Sequence, residues 1–260
     1  MEPVALPASQ GWLWVVHGLR LFRAYAALWL LLLFLCWISL TLIRVIPLIG
    51  PLAAICLMPG IGAGLMVACR AAQQGQPPTQ RHVLEAFKTH RKGQLQLGLI
   101  YLAGTLAALG ASALLDGGLF LHASLFGITQ AELMRVAPAF LAGLAAFMVL
   151  FAPVMLAFWF APALVHWHGM PPVKALFFSF FACLRNWRPF LVYGLGWLFF
   201  LFVVPMTVAV MLAAVLSADL RGATLASFIV MPFMLAMLGA LVCSFYCTYL
   251  AVFGDPPAAA

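Results

Sequence analysis

The chain has 260 residues, of which 66% are hydrophobic and only 7% charged, with a mean hydropathy of +1.12 and a formal net charge of +7. That leaves too little polar surface for a domain folded in water, so the solvent for most of the chain is lipid. The basic excess is divided among short segments that also carry apolar faces, which argues against nucleic acid as a partner.

In chain order, the first element is the stretch 11–24, GWLWVVHGLRLFRA. It is predicted to lie at the membrane surface, with Trp12, Trp14, Leu19 and Phe22 toward acyl chains and His17, Arg20 and Arg23 toward headgroups. Crossing the hydrocarbon core takes about 20 apolar residues. Six stretches meet that length: 26–43, 46–69, 95–115, 138–165, 190–216 and 225–253. The first follows its basic residues without a small-residue cleavage site and reads as a signal anchor.

The second stretch carries Pro47, Pro51 and Pro59 together with Gly50, Gly60, Gly62 and Gly64, which predicts a kinked or broken helix. Gly60 and Gly64 form a small-x-x-x-small pair that admits a neighbouring helix and should nearly tolerate alanine. The same breaks could instead expose backbone to a solute, or act as a hinge. Next, Gly75-Gln76-Pro77-Pro78 opens an amphipathic stretch with Phe87, Lys88, Arg91 and Lys92. The G-x-P-P pattern recurs at Gly169-Met170-Pro171-Pro172, before Lys174, four phenylalanines, Arg185, Trp187 and Arg188. The fourth and sixth apolar stretches exceed the spanning length, so they tilt or project beyond the lipid. Pro153, Pro162, Pro205 and Pro232 extend the kinks to the later spans.

The fold expected is an all-α integral membrane protein, a single polytopic domain over residues 1–260. Its six transmembrane helices form three hairpins, each preceded by an amphipathic interfacial helix, in repeat units 9–74, 75–168 and 169–254. Ten of the 13 basic residues fall on one side of these spans, and Arg44, Arg135 and Arg221 on the other. Basic residues near span ends stay cytoplasmic, which places both termini in the cytoplasm. Asp116, Glu132 and Asp219 offset the three outer arginines, while Glu2, Glu85 and Asp255 leave the inner side near +7. Arg20, Arg23, Lys88, Arg91, Lys92, Lys174, Arg185 and Arg188 are the candidate contacts to anionic lipid headgroups.

Chemistry is sparse. No span carries a central ionisable residue, which ion-coupled transport usually requires. There is no G-x-S-x-G elbow, no H-E-x-x-H and no acid pair close in sequence, so no catalytic residue is assigned. No cofactor or metal is expected: His166 and His168 diverge on a helix, and the six histidines read as interfacial and headgroup-facing. The six cysteines read as free thiols, with Cys243 and Cys247 one turn apart but lacking a third ligand.

Trp14, Gly18, Leu21, Phe22 and Arg23 at the start, the proline-rich second span ending in Cys69-Arg70, the G-x-P-P turn and the F-x-x-C-L-R-N-W-R-P-F element at 180–190 resemble a group of uncharacterised multi-pass inner-membrane proteins from proteobacteria. The resemblance covers most of the chain and rests on structural motifs. It implies a bacterial inner membrane, and the group offers no activity or site residue to transfer. The function expected is that of a non-catalytic component that interacts with lipid or with a membrane-protein partner. The alternatives are a carrier or pore for a neutral or lipophilic solute and, third, a membrane enzyme acting on lipid.

Overall fold

A computed structural model describes residues 3–216 and 220–257. Glu2 and Asp219 of the charge balance lie outside these residues, and the side chain of Arg221 is likewise not described. Among the described residues every element is helical, with no strand. The helices are α1 (Gln10–Ala24), α2 (Ala26–Arg44), α3 (Ile49–Gln73), α4 (Gln80–Lys88), α5 (Arg91–Asp116), α6 (Leu119–Phe126), α7 (Gln130–Phe158), α8 (Ala161–His168), α9 (Pro172–Arg185), α10 (Trp187–Leu198), α11 (Val204–Leu216) and α12 (Leu220–Phe253). A π-helical turn, Phe199–Val203, joins α10 to α11. Six of the helical stretches are long and apolar enough to cross a membrane.

The chain divides into two compact units, one of Met1–Trp37, Gly64–Glu85 and Leu184–Ala260, the other of Ile38–Ala63 and Ala86–Cys183. In the first, α1 packs on α10 and α12. Glycine makes this approach close: a Cβ on Gly11 would strike the Pro189 carbonyl, and one on Gly18 would strike Ser244 and the Ala240 carbonyl. Trp14 fills the seam with its edge toward Phe190 and Tyr193, at ring separations of 5.2 and 5.8 Å. Beneath it the Tyr193 hydroxyl and Ser244 Oγ share a hydrogen bond of 2.6 Å.

The chain ends are tied into the same unit. Val4 N–H donates to the Val252 carbonyl at 3.1 Å. The buried Asn186 accepts from Leu6 N–H at 2.9 Å and donates from Nδ2 to the Val4 carbonyl at 3.0 Å. Arg70 donates to the Pro256 carbonyl at 3.0 Å.

In the second unit α5 packs along α7, with α6 against both. Gly98 of α5 receives the Cys56 carbonyl, and Gly104 lies under Val154. At one end of this pair Asp116 accepts from the backbone N–H groups of Gly118 and Phe120, at 2.9 and 2.7 Å. Thr129 and Glu132 form a reciprocal capping box at the start of α7.

Two expectations about the spans need correction. The second span is one continuous helix and is not broken. Pro47 precedes α3 and Pro51 sits in its first turn, where a missing N–H leaves nothing unpaired, so only Pro59 lies inside the helical ladder. The fourth apolar stretch, by contrast, is interrupted between α7 and α8. There Ser179 Oγ accepts from Phe160 N–H and donates to the Leu156 carbonyl, both at 2.9 Å. One hydroxyl thus replaces the direct Phe160-to-Leu156 bond that an unbroken helix would make.

A third G-x-P-P, Gly254-Asp255-Pro256-Pro257, follows the last span. The three glycines, Gly75, Gly169 and Gly254, have φ of +80°, +58° and +79°. Each ends its helix in a conformation that side chains resist. Fifteen residues before the first and third of them stand Gly60 and Gly239, and each faces the ring of a phenylalanine on a short helix: Phe87 of α4 and Phe22 of α1. The Gly239–Phe22 contact of α12 with α1 thus repeats the Gly60–Phe87 contact of α3 with α4.

Candidate functional site

The basic residues singled out from the sequence sit at the ends of helices. Arg20 and Arg23 are exposed on α1, Lys88 is in the last turn of α4, and Arg91 and Lys92 are in the first turn of α5. Lys174 and Arg185 are exposed on α9, and Arg188 is exposed at the start of α10. Lys88 and Arg91 are separated by His90, whose φ of +50° ends one helix and starts the next. The helix α4, which follows the first G-x-P-P turn, is thus only nine residues long.

The apolar partners of these cations do not behave alike. On α1, Trp12 is 46% exposed, but Trp14 and Phe22 are only 1% and 7% exposed. The expectation that Trp14 and Phe22 meet acyl chains fails, because Gly11, Gly18 and Gly239 let α1 come so close to α10 and α12 that these rings are enclosed by protein. On α9, Phe177 and Phe181 are 60% and 49% exposed, while Ala175, Ser179, Ala182 and Cys183 form the buried side. Lys174 Nζ lies 5.8 Å from the Phe178 ring centre and the Arg188 guanidinium 5.5 Å from that of Trp187. Cations resting on rings keep their stems on apolar surface and leave their charged heads exposed.

Of the packing or hinge candidates, Gly60 faces the Phe87 ring and Gly64 the backbone of Val83. Both neighbours belong to the short α4 and not to another span. A Cβ at Gly64 would overlap Val83 backbone, so alanine is not tolerated there as expected from the sequence; at Gly60 it would meet only the edge of a ring. Pro51 and Pro59 lie within the same helix and Pro47 precedes it.

Cys69 of α3 and Cys243 of α12 are both buried free thiols of the first unit. Among the described residues no group of three or more His, Cys, Asp or Glu is arranged to hold a metal ion. His166 is buried, which corrects its assignment to the headgroups: five residues before it on α8 are buried as well, and Gln94 Nε2 donates to the Pro162 carbonyl one turn away at 3.0 Å. Cys183 is buried on α9, and burial pushes its thiol well above the usual range, so it is a packing group and not a nucleophile. The sequence signal for this inner face was its small residues, Ala175, Ser179, Ala182 and Cys183, at helical spacing.

No family model and no solved structure matches the chain. A probable inner membrane protein of Burkholderia thailandensis is 35% identical to it, over 98% of this chain and 94% of its own length. Together with six helices of spanning length, near-complete coverage at that identity gives the conclusion that the chain belongs to the family of this Burkholderia protein, a family of multi-pass, all-α inner-membrane proteins.

Proposed function

We propose that the protein acts without catalysis, as an inner-membrane component that gathers anionic lipid at its basic side through short helices lying at the membrane surface. The observation that carries this reading is the outward side of α9, where Val173, Phe177, Phe181 and Leu184 are exposed beside Lys174 and Arg185. Apolar side chains at that spacing form a stripe along a helix, and basic residues flanking it match an anionic headgroup layer. Each cation near such a layer is worth about 1 kcal/mol. Changing Lys174, Arg185 and Arg188 together to Gln should weaken retention of anionic lipid in native mass spectrometry of the purified protein. Unchanged retention would leave these charges a role in topology alone.

The same reading puts both termini in the cytoplasm. Reporter fusions after Gly118 and after Arg221 should signal the periplasm, and one after Gly75 the cytoplasm. Opposite signals at two of these positions would defeat the arrangement.

A carrier or pore for a neutral or lipophilic solute draws on one observation, the π-helical turn Phe199–Val203 inside the fifth span. Such turns are frequent at functional sites. Gly62 offers the discriminating test, because a Cβ there meets open space. If Gly62→Ala melts like the parent but no longer binds or moves a solute, the carrier reading prevails.

A further inference from the structure

In the first unit, the G-x-P-P turn between α3 and α4 and the early turns of α2 line an open groove of about 740 Å³. That is within the usual range for a small-ligand site. Its two ends differ in chemistry. One wall is Leu28, Leu31, Leu32 and Leu35, at three- and four-residue steps on one side of α2. Seven residues of helix carry this wall about 10 Å along the span. The opposite end is lined by Gln76, Gln80, Arg81 and His82, with no acidic side chain.

The polar end is built rather than loose. The Tyr25 hydroxyl, at the junction of α1 and α2, donates to the Gly75 carbonyl at 2.8 Å and so holds the turn against the start of α2. Thr79 N–H donates to His82 Nδ1 at 3.2 Å. A ring nitrogen that accepts carries no proton, so in the neutral imidazole the proton is on Nε2, which is left as a donor. Arg81 is exposed and supplies a planar set of donors suited to phosphate oxygens.

We propose that this groove holds one anionic phospholipid, with its phosphate on Arg81 and His82 and the first part of an acyl chain along Leu28, Leu31 and Leu35. The proposal rests on the lipid-interacting reading above but uses none of Lys174, Arg185 or Arg188. Free phosphate shares the headgroup chemistry, and only the lipid needs the leucine wall.

The test is a titration of the purified full chain in neutral detergent, followed by native mass spectrometry. The probes are phosphatidylglycerol, phosphatidylcholine and inorganic phosphate. The parent should take up its first phosphatidylglycerol well ahead of phosphatidylcholine. Arg81→Gln combined with His82→Gln should weaken that first binding by about fivefold or more, the worth of roughly one headgroup charge. Leu31→Trp, at a position 53% exposed, should obstruct the wall and weaken it equally, with the melting temperature unchanged. The Lys174, Arg185 and Arg188 variant should retain the first lipid and lose later ones, which separates failure of this site from failure of the wider reading. If Leu31→Trp has no effect while the Arg81 and His82 changes abolish binding of inorganic phosphate, the ligand is free phosphate and the lipid assignment is overturned. First-lipid affinity unaltered in both variants overturns the site altogether.

Discussion

Helices α1 and α9 have the same kind of sequence and opposite surroundings. Each is a short amphipathic helix of aromatic and small residues that ends in arginine just before a spanning helix. Yet α1 buries Trp14, Val15 and Phe22 against α10 and α12, whereas α9 buries Ala175, Ser179, Ala182 and Cys183 and leaves Phe177 and Phe181 outside. The difference teaches that an amphipathic pattern in a membrane protein does not say which side meets protein. In lipid there is no hydrophobic drive to bury large side chains, so close packing follows small residues and backbone approach. On α9 the small residues are on the helix itself. On α1 the Phe22 ring is received by Gly239 of α12, while its own Gly11 and Gly18 admit the Pro189 carbonyl and Ser244 of the neighbouring helices.

The sharpest way to break this comparison is to truncate one aromatic side chain on each helix. Trp14→Ala should lower stability by about 3–5 kcal/mol, read as a large drop in melting temperature in detergent. If it melts like the parent, α1 is a lipid-facing helix after all. A second, smaller effect is expected for Gly18→Ala, where the added methyl meets Ser244 and the Ala240 carbonyl; overpacking of this kind costs about 1–3 kcal/mol. Gly194→Ala on α10 is the control, since a Cβ there touches nothing, and it should be neutral or stabilising by up to about 1 kcal/mol.

On the α9 side, Ser179→Ala removes the hydroxyl that links Phe160 N–H to the Leu156 carbonyl. Leaving these buried groups unbridged should cost about 1–3 kcal/mol. A change near zero would mean that the backbone closes into an unbroken helix, which cysteine scanning across Trp159 and Phe160 would register as altered accessibility. The smallest effect on stability belongs to Phe177→Ala and Phe181→Ala, each expected within about 0.5 kcal/mol of the parent. These two should instead reduce lipid retention in native mass spectrometry, and a large loss of stability would show that their outer side is covered by protein.

The residues of α3 and α4 show where sequence reading stops. Gly60 and Gly64 were legible as a pair that permits close approach, because small residues four apart share one helix face whatever surrounds them. That their neighbours are Phe87 and Val83 of a nine-residue helix was not legible, since a spacing rule names a face and never the partner. His166 was misplaced for a related reason. An apolar run of 138–165 gives no sign that Ser179, on a later helix, bridges Phe160 N–H and the Leu156 carbonyl, or that His166 is buried.

By itself the sequence determined the solvent, the six spans and the grouping of charge, because those follow from local counts of apolar and basic residues against a bilayer of fixed thickness. Tertiary structure alone decided which aromatic side chains are enclosed, that α3 runs on through Pro59, and that Arg81 and a row of leucines line one groove. Each of these depends on contacts between residues distant in sequence, formed where a glycine or serine lets two backbones approach, and no period along a single helix encodes them.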